Sequence, residues 1–542
     1  MMEVKMRGKI DDKTTPSGRE AHLGTSLSAL GKLKAAKLPP MSAGVLSMLG
    51  PAFVWASLAQ GSGELIWWPY LAAKYGTVFL GLLVPSLLIQ YFVNQEIVRY
   101  TALTGEGPWS AMGRIGRWFS VPFWFLAFVA LLWFGGYASA GGTALRELFG
   151  RPIDPAFGSR FWGLVIIVLF FAGIVLCRVV YSLIEWFMKI IMIFSIVGVF
   201  FAILRPEVLG VLKTFFAAAF NPLAGVSAML RPSSIPNWDP TDVDKIVTGI
   251  AYAGMGGYFN LLYAYWMRDK GAGMSRLIGR VTSPITARAE AVPGAGYFFV
   301  DTDENHRNWK NWLRYIRLDN GLAVTANGLT TLMMTLLGFA VLNPAGVAPS
   351  GWRIAVEQAR FLESVWGSFG RVLFLCIGFA FLGDTWVGLA DGLSRKYADF
   401  FFSNFNWAKK WSYRRWYYVW LFFLVAVTII TIFLAQPGPL ILIAGVVNIF
   451  AFTIFIPAYM YMNYFKIPKV FPKWVRPSDL TMAVLGITWF IYLATAVWYV
   501  ALAPKRIPYL VAAVVMWFFV GGYFYLRDRR NPLDKARGYH LH

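Results

Sequence analysis

Two stretches of this 542-residue chain combine helix-breaking residues with oxygen donors. In the first, Gln60 and Gly61-Ser62-Gly63 lead directly into Glu64, in the middle of a long apolar run. In the second, Gly254, Gly256 and Gly257 precede Asn260 inside another apolar run. Glycine is a poor helix former, so each cluster invites unwinding. Unwound backbone inside a membrane is tolerated where it is buried in protein or lines a polar cavity. A carboxylate at that depth costs about 2.5–3.5 kcal/mol on insertion scales and calls for a function and a partner. If a half-helix restarts at Leu65, its positive end stabilises Glu64, and capping that half-helix is the plainer role for the carboxylate. Asn260 offers a neutral oxygen and two donors, and its plainer role is to satisfy freed backbone groups.

The candidate binding residues are therefore Glu64, Gly61, Gly257 and Asn260, with Gln60, Asp384 and Asn448 as secondary candidates. The candidate helix breaks are Gly61, Ser62, Gly63, Gly254, Gly256 and Gly257, although such glycines also permit close helix packing. Carboxylate, amide and carbonyl oxygens suit a hard divalent cation such as magnesium, calcium or manganese. Cys177 and Cys376 lie in apolar runs, and His22, His306, His540 and His542 in polar segments. The alternative ligand is an organic amine or zwitterion, for which Trp67, Trp68, Tyr258 and Phe259 offer cation–π faces. No catalytic constellation or soluble enzyme domain is visible, and no cofactor is called for.

The elements that carry these residues are membrane spans. Hydrophobic residues make up 57% of the chain and charged ones 14%, against about 25% charged in a soluble domain. Mean hydropathy is +0.54. Twelve windows are long and apolar enough to cross a bilayer: 45–75, 78–102, 120–145, 161–183, 186–204, 244–267, 319–342, 368–392, 417–435, 439–464, 480–502 and 508–526. The chain is expected to be an all-α, multi-pass protein of the cell membrane. The net charge of +22 resides in short segments between the windows. It speaks for topology and contact with anionic lipid rather than nucleic acid.

Lys and Arg concentrate in 1–43, 99–117, the turn near Arg178, 268–317, 395–415, 466–476 and 527–542. That alternation places both termini in the cytoplasm. The two breaks fall in spans 1 and 6, the offset of two inverted five-helix repeats, and paired interruptions of this kind point to a transporter's midplane site. The expected organisation is a basic segment 1–43, a first repeat 44–206, an external connection 207–243, and a second repeat 244–465 that includes a cytoplasmic loop 268–317. Two further helices, 466–526, and a tail 527–542 follow. The loop is expected to lie against the lipid surface. Oligomeric state is not legible.

Three stretches carry a resemblance. "GPAFVWASLAQGSGELIWWPYLAAKYG" resembles the first span of the natural-resistance-associated macrophage protein (Nramp) family of divalent-metal transporters, in the amino-acid–polyamine–organocation superfamily. "VYSLIEWFMKIIMIFSIVGVFF" resembles that family's turn into its fifth span, and "GGYFNLLYAYW" its sixth-span break. The likeness extends loosely over 48–465 and rests on order and spacing. It implies the leucine-transporter-type fold and a secondary transporter working by alternating access. The departures concern the site. The family's first-span Asp falls on Gly61 and its Asn on Glu64. Its sixth-span Met falls on Gly257, its His on Phe259 and its Asn on Asn260. Third-span acidic positions fall on Phe134 and Tyr137, and a tenth-span Gln falls near Ala444, one turn from Asn448. The resemblance thus implies metal transport without the family's thioether ligand or its proton route.

Overall fold

The computed structural model describes residues 19–41, 44–130, 132–349, 354–502 and 504–530; at 62–64, 130, 354, 355, 364 and 365 it describes the backbone alone. Helix occupies each of the twelve windows. Span 1 comprises Pro51–Ala59, Gln60–Trp67 and Trp68–Tyr75. Span 2 is Leu83–Thr104, and span 3 is Arg117–Ala130 with Gly135–Phe149. Spans 4 and 5 are Pro155–Leu176 and Val180–Ile203. Span 6 is divided into Val243–Ala251 and Leu262–Lys270. Spans 7 and 8 are Asp303–Leu337 and Arg360–Asn404. Spans 9 to 12 are Tyr413–Leu434, Pro437–Met460, Asp479–Leu502 and Ile507–Arg530.

Local chemistry sets these ends. Pro155 and Pro437 occupy first-turn positions, where a missing N–H costs nothing. Asp154 caps span 4 by accepting from Phe157 N at 2.6 Å, and Thr302 caps span 7 by accepting from Asn305 N at 3.2 Å. Gly105 ends span 2 in the left-handed conformation, φ +75°.

Among the described residues, eight helices are long and apolar enough to cross a membrane. Span 8 is central, with 72% of its apolar window buried in protein, whereas span 12 has 6% buried and faces outward. Span 8 packs against spans 1, 3, 5 and 9, and the first half of span 6 against span 10.

The expected helical membrane architecture is present, and one small sheet accompanies it. Three short strands, β1 (Glu20–Ala21), β2 (Leu33–Ala35) and β3 (Tyr297–Phe298), form a sheet in that order, with β1/β2 antiparallel and β2/β3 parallel. The 268–317 segment is not a loop along its whole length, because span 7 begins at Asp303. Its buried side meets the N-terminal segment: Asn305 Oδ1 accepts from Leu38 N at 3.0 Å, and Trp312 Nε1 donates to Pro39 O at 2.8 Å. Leu23, Leu33 and Leu38 are buried there. Residues 1–18, 42, 43 and 531–542 of the two terminal segments lie outside the described residues.

Candidate functional site

Span 1 is widened rather than unwound. Over Gln60–Trp67 it runs as a π-helix, a form that often marks functional sites. Its cause is partly legible in Pro69, which has no N–H to return to the carbonyl of Leu65, four residues earlier. Gln358 Nε2 donates to that carbonyl instead. Gly61 lies hard against span 8: a Cβ there would come within 2.0 Å of Thr385 Oγ1 and 2.6 Å of Phe381 O. Thr385 Oγ1 donates to Leu58 O at 3.1 Å, and Ser57 Oγ donates to the carboxylate of Asp384. Asp384 is fully buried, and among the described residues it has no Lys, Arg or His partner. The side chains of Ser62 and Glu64, and the Gly63 side of the turn, lie outside the described residues.

Span 6 is broken outright between Ala251 and Leu262. Gly256 and Gly257 have φ of +83° and +53°, which L side chains rarely adopt. Three amide side chains take over the lost helical hydrogen bonds. Gln90 Nε2 of span 2 donates to Ala251 O at 3.0 Å, and Asn327 Nδ2 of span 7 donates to Ala253 O at 3.0 Å. Asn448 Oδ1 of span 10 accepts from Tyr258 N at 2.8 Å. Asn448 Nδ2 donates to Ala444 O at 2.8 Å and to the Tyr252 hydroxyl at 3.2 Å, so this amide is fully used in holding the break. Gly257 packs on the same residue, since a Cβ there would come within 2.2 Å of Asn448 O.

Asn260 is different. Its Nδ2 donates to Gln90 Oε1 at 3.0 Å and to Asn94 Oδ1 at 2.8 Å. The donation of Gln90 to Ala251 O fixes which end of Gln90 is the acceptor, and that in turn fixes the orientation of Asn260. Its Oδ1 is left buried with no donor. Gln60 shows the same pattern: Nε2 donates to Thr330 Oγ1 at 2.8 Å while Oε1 has no partner. Asn327 Oδ1 is likewise unpartnered. A buried polar atom without a partner is costly and calls for an explanation. These oxygens come from spans 1, 6 and 7, and the widened turn of span 1 packs against both span 7 and the first half of span 6.

Of the candidate residues, Gly61 and Asp384 belong to the contact between spans 1 and 8, and Gln60 bonds across to Thr330 of span 7. Gly254, Gly256, Gly257, Asn260 and Asn448 belong to the span 6 break. Gln90, Asn94, Asn327, Thr330 and Gln358 were not anticipated. Gln90 and Asn94, four apart on one helix face of an apolar span, were the available signal. Asp391 is buried further along span 8, with Arg395 Nε donating to it at 2.9 Å, Tyr417 at 2.8 Å and Trp266 Nε1 at 3.1 Å. Among the described residues no group of three or more His, Cys, Asp or Glu side chains could hold a metal ion.

No family model matches the sequence, and no curated protein matches it. Solved structures do match. The Eremococcus coleocola manganese transporter, in complex with an aromatic bis-isothiourea substituted compound, is 12% identical, with a TM-score of 0.56 over 95% of this chain and 100% of that one. A mutant of the same transporter is 11% identical, with a TM-score of 0.55 over 93% of this chain and 98% of that one. At these identities the likeness is one of fold. The chain has the leucine-transporter-type membrane architecture that the order of its spans led us to expect.

Proposed function

We propose that the protein is a secondary transporter that moves a hard divalent cation, such as manganese or magnesium, across the membrane by alternating access. The observation that supports this reading most is the fixed amide of Asn260, which presents a buried, donorless oxygen at the break of span 6. An anion has nothing to gain there, whereas a cation does. Gln60 Oε1 and Asn327 Oδ1 offer the same chemistry from neighbouring helices. Neutral oxygens hold such an ion loosely enough to release it, and Glu64, in the widened turn of span 1, supplies the charge that attracts it. Gly61 and Gly257 bring the backbone close, and Asn448 holds the break in shape.

The Nramp-like order of the spans favours a metal, and the manganese transporters of similar fold are consistent with one. The same oxygens would also accept an N–H donor, which keeps an organic amine as the competing substrate. Uptake into proteoliposomes decides between them. Manganese(II) should enter and be competed by magnesium(II). Uptake of small amines with no response to a panel of divalent metals would replace this reading.

A further inference from the structure

Lys396 is buried without a polar partner. Its side chain is fully enclosed, and its Nζ has neither a hydrogen-bond acceptor nor an ion-pair partner among the described residues. What surrounds it is aromatic: Nζ lies 4.7 Å from the ring centroid of Tyr258 and 5.6 Å from that of Trp109. Tyr258 belongs to the broken segment of span 6, directly after Gly257. Trp109 belongs to the helix Pro108–Ile115, which connects spans 2 and 3. Lys396 is about 18 Å along span 8 from Asp384, beyond the apolar window 368–392, at the end that the Lys and Arg distribution assigns to the cytoplasm.

The neighbouring ionisable groups are already committed. Arg395 pairs with Asp391 and Asp269. Asp399 accepts from Trp109 N at 3.1 Å, Tyr265 at 2.7 Å, and Ser110 and Ser403 at 2.9 Å each. Arg268 donates to the Tyr413 hydroxyl at 2.9 Å, and Tyr417 donates to Asp391. Glu106 holds Arg114. The hydroxyls of Tyr397 and Tyr459 are buried without partners. Among the described residues no carboxylate is left for Lys396. Desolvating an ammonium with no counter-charge costs far more than removing its proton, so the closed box holds a neutral amine. The two ring faces partly compensate the charged form, which keeps protonation within reach once water enters.

We infer that Lys396 is the group through which the protein binds and releases a proton as it opens and closes towards the cytoplasm. When the segment carrying Tyr258 moves away from span 8, solvent reaches the amine and a hydronium ion gives it a proton: one O–H bond breaks, one N–H bond forms, and a neutral water is left. Closure returns that proton to water. Because the ammonium and a divalent cation repel one another, occupancy by the cation and protonation of Lys396 oppose each other. The transport cycle is then one of exchange, with a proton entering the site region as the cation leaves. The exchange step rests on the cation reading above; the proton site does not.

The test uses the full chain in nanodiscs with Cys177 and Cys376 replaced by Ala and a reporter at Ala264→Cys, a buried position on the second half of span 6. N-ethylmaleimide labelling is divided by the rate of the same cysteine in SDS-unfolded protein at each pH. With Lys396 present the ratio should fall as pH rises from 6 to 9, by up to about tenfold per unit for one linked proton. Lys396→Met should label slowly at every pH, and Lys396→Arg rapidly at every pH. A wild-type pH response in Lys396→Met overturns the assignment, and so does slow labelling of folded Lys396→Arg. If the Arg variant does not fold, the Met variant decides alone. Manganese(II) chloride should move the transition to lower pH. A pH response that manganese leaves untouched overturns the exchange with that cation, and the Lys396 assignment then stands by itself.

Discussion

Asn260→Ala removes the donorless oxygen together with two hydrogen bonds. Gln90 Oε1 and Asn94 Oδ1 each lose their donor. A buried acceptor left unpaired costs about 1–3 kcal/mol, so the protein should lose about 2–4 kcal/mol of stability once water partly refills the site. An interaction with a charged partner is worth about 1.5–3 kcal/mol, which corresponds to roughly 10- to 150-fold in affinity. Gln90→Leu separates the two effects. It strips the donor from Ala251 O and one acceptor from Asn260, so its stability loss is comparable. The Asn94 bond still turns the Asn260 oxygen outward. The assays are denaturation of the purified protein and manganese(II) uptake by proteoliposomes, both at matched reconstitution. Asn260→Ala should raise the half-saturating manganese concentration at least about tenfold, and Gln90→Leu by less than about threefold, for the same loss of stability. Equal effects of the two substitutions on uptake would refute the reasoning, because the oxygen would then matter only as packing.

Glu64→Gln should weaken divalent uptake far more than Asn448→Ala, and Glu64→Asp should keep partial activity; intact uptake in folded Glu64→Gln reduces Glu64 to a helix cap. Both termini and the segment after span 6 should face the cytoplasm, so cysteines placed at Ala289 and Ser233 in a cysteine-free background should label from opposite sides, and labelling from one side breaks the twelve-span order. Acid should destabilise the junction between spans 2 and 3. Burial alone would raise the pKa of Glu106, but Arg114, the Tyr100 hydroxyl and Gly296 N outweigh it and hold the carboxyl below its ordinary range. A depressed folded-state value gives stability that is present above the unfolded pKa, about 4.3, and is lost as pH falls through the folded one. Melting curves from pH 7 to pH 3 should show that loss in the wild type. Glu106→Gln should already be less stable at pH 7, by about 3–5 kcal/mol, because Arg114 is left buried and unpaired.

The twelve windows were legible because twenty apolar residues have few other places to go. The break in span 6 was legible because Gly256-Gly257 disfavours a helix on its own account. The form of span 1 was not. Gly61-Ser62-Gly63 signals weakness, but a π-helix and a true break differ only in whether a partner such as Gln358 is at hand for the carbonyl that Pro69 abandons. The amide frame escaped for a similar reason. Gln90, Asn327 and Asn448 each bond to span 6 from a different helix, 161, 74 and 190 residues away, and no local pattern reports such pairings. Lys396 read as one of the basic residues at a span's inner end, and only its enclosure by Tyr258 and Trp109 sets it apart.

The small sheet has a consequence for how the chain is made. Leu38, a few residues after strand β2, bonds to Asn305, 267 residues further along. At about 5–20 residues per second on the ribosome, that partner emerges roughly 13 to 53 s later. Through that interval six spans are inserted; β2 can already pair with β1, and the stretch around Leu23 can reach Arg114, but β3 and the start of span 7 are still missing. The end of the N-terminal segment at Leu38 is thus among the first parts synthesised and among the later ones to reach its native place. Its docking reports that the chain has been completed as far as span 7.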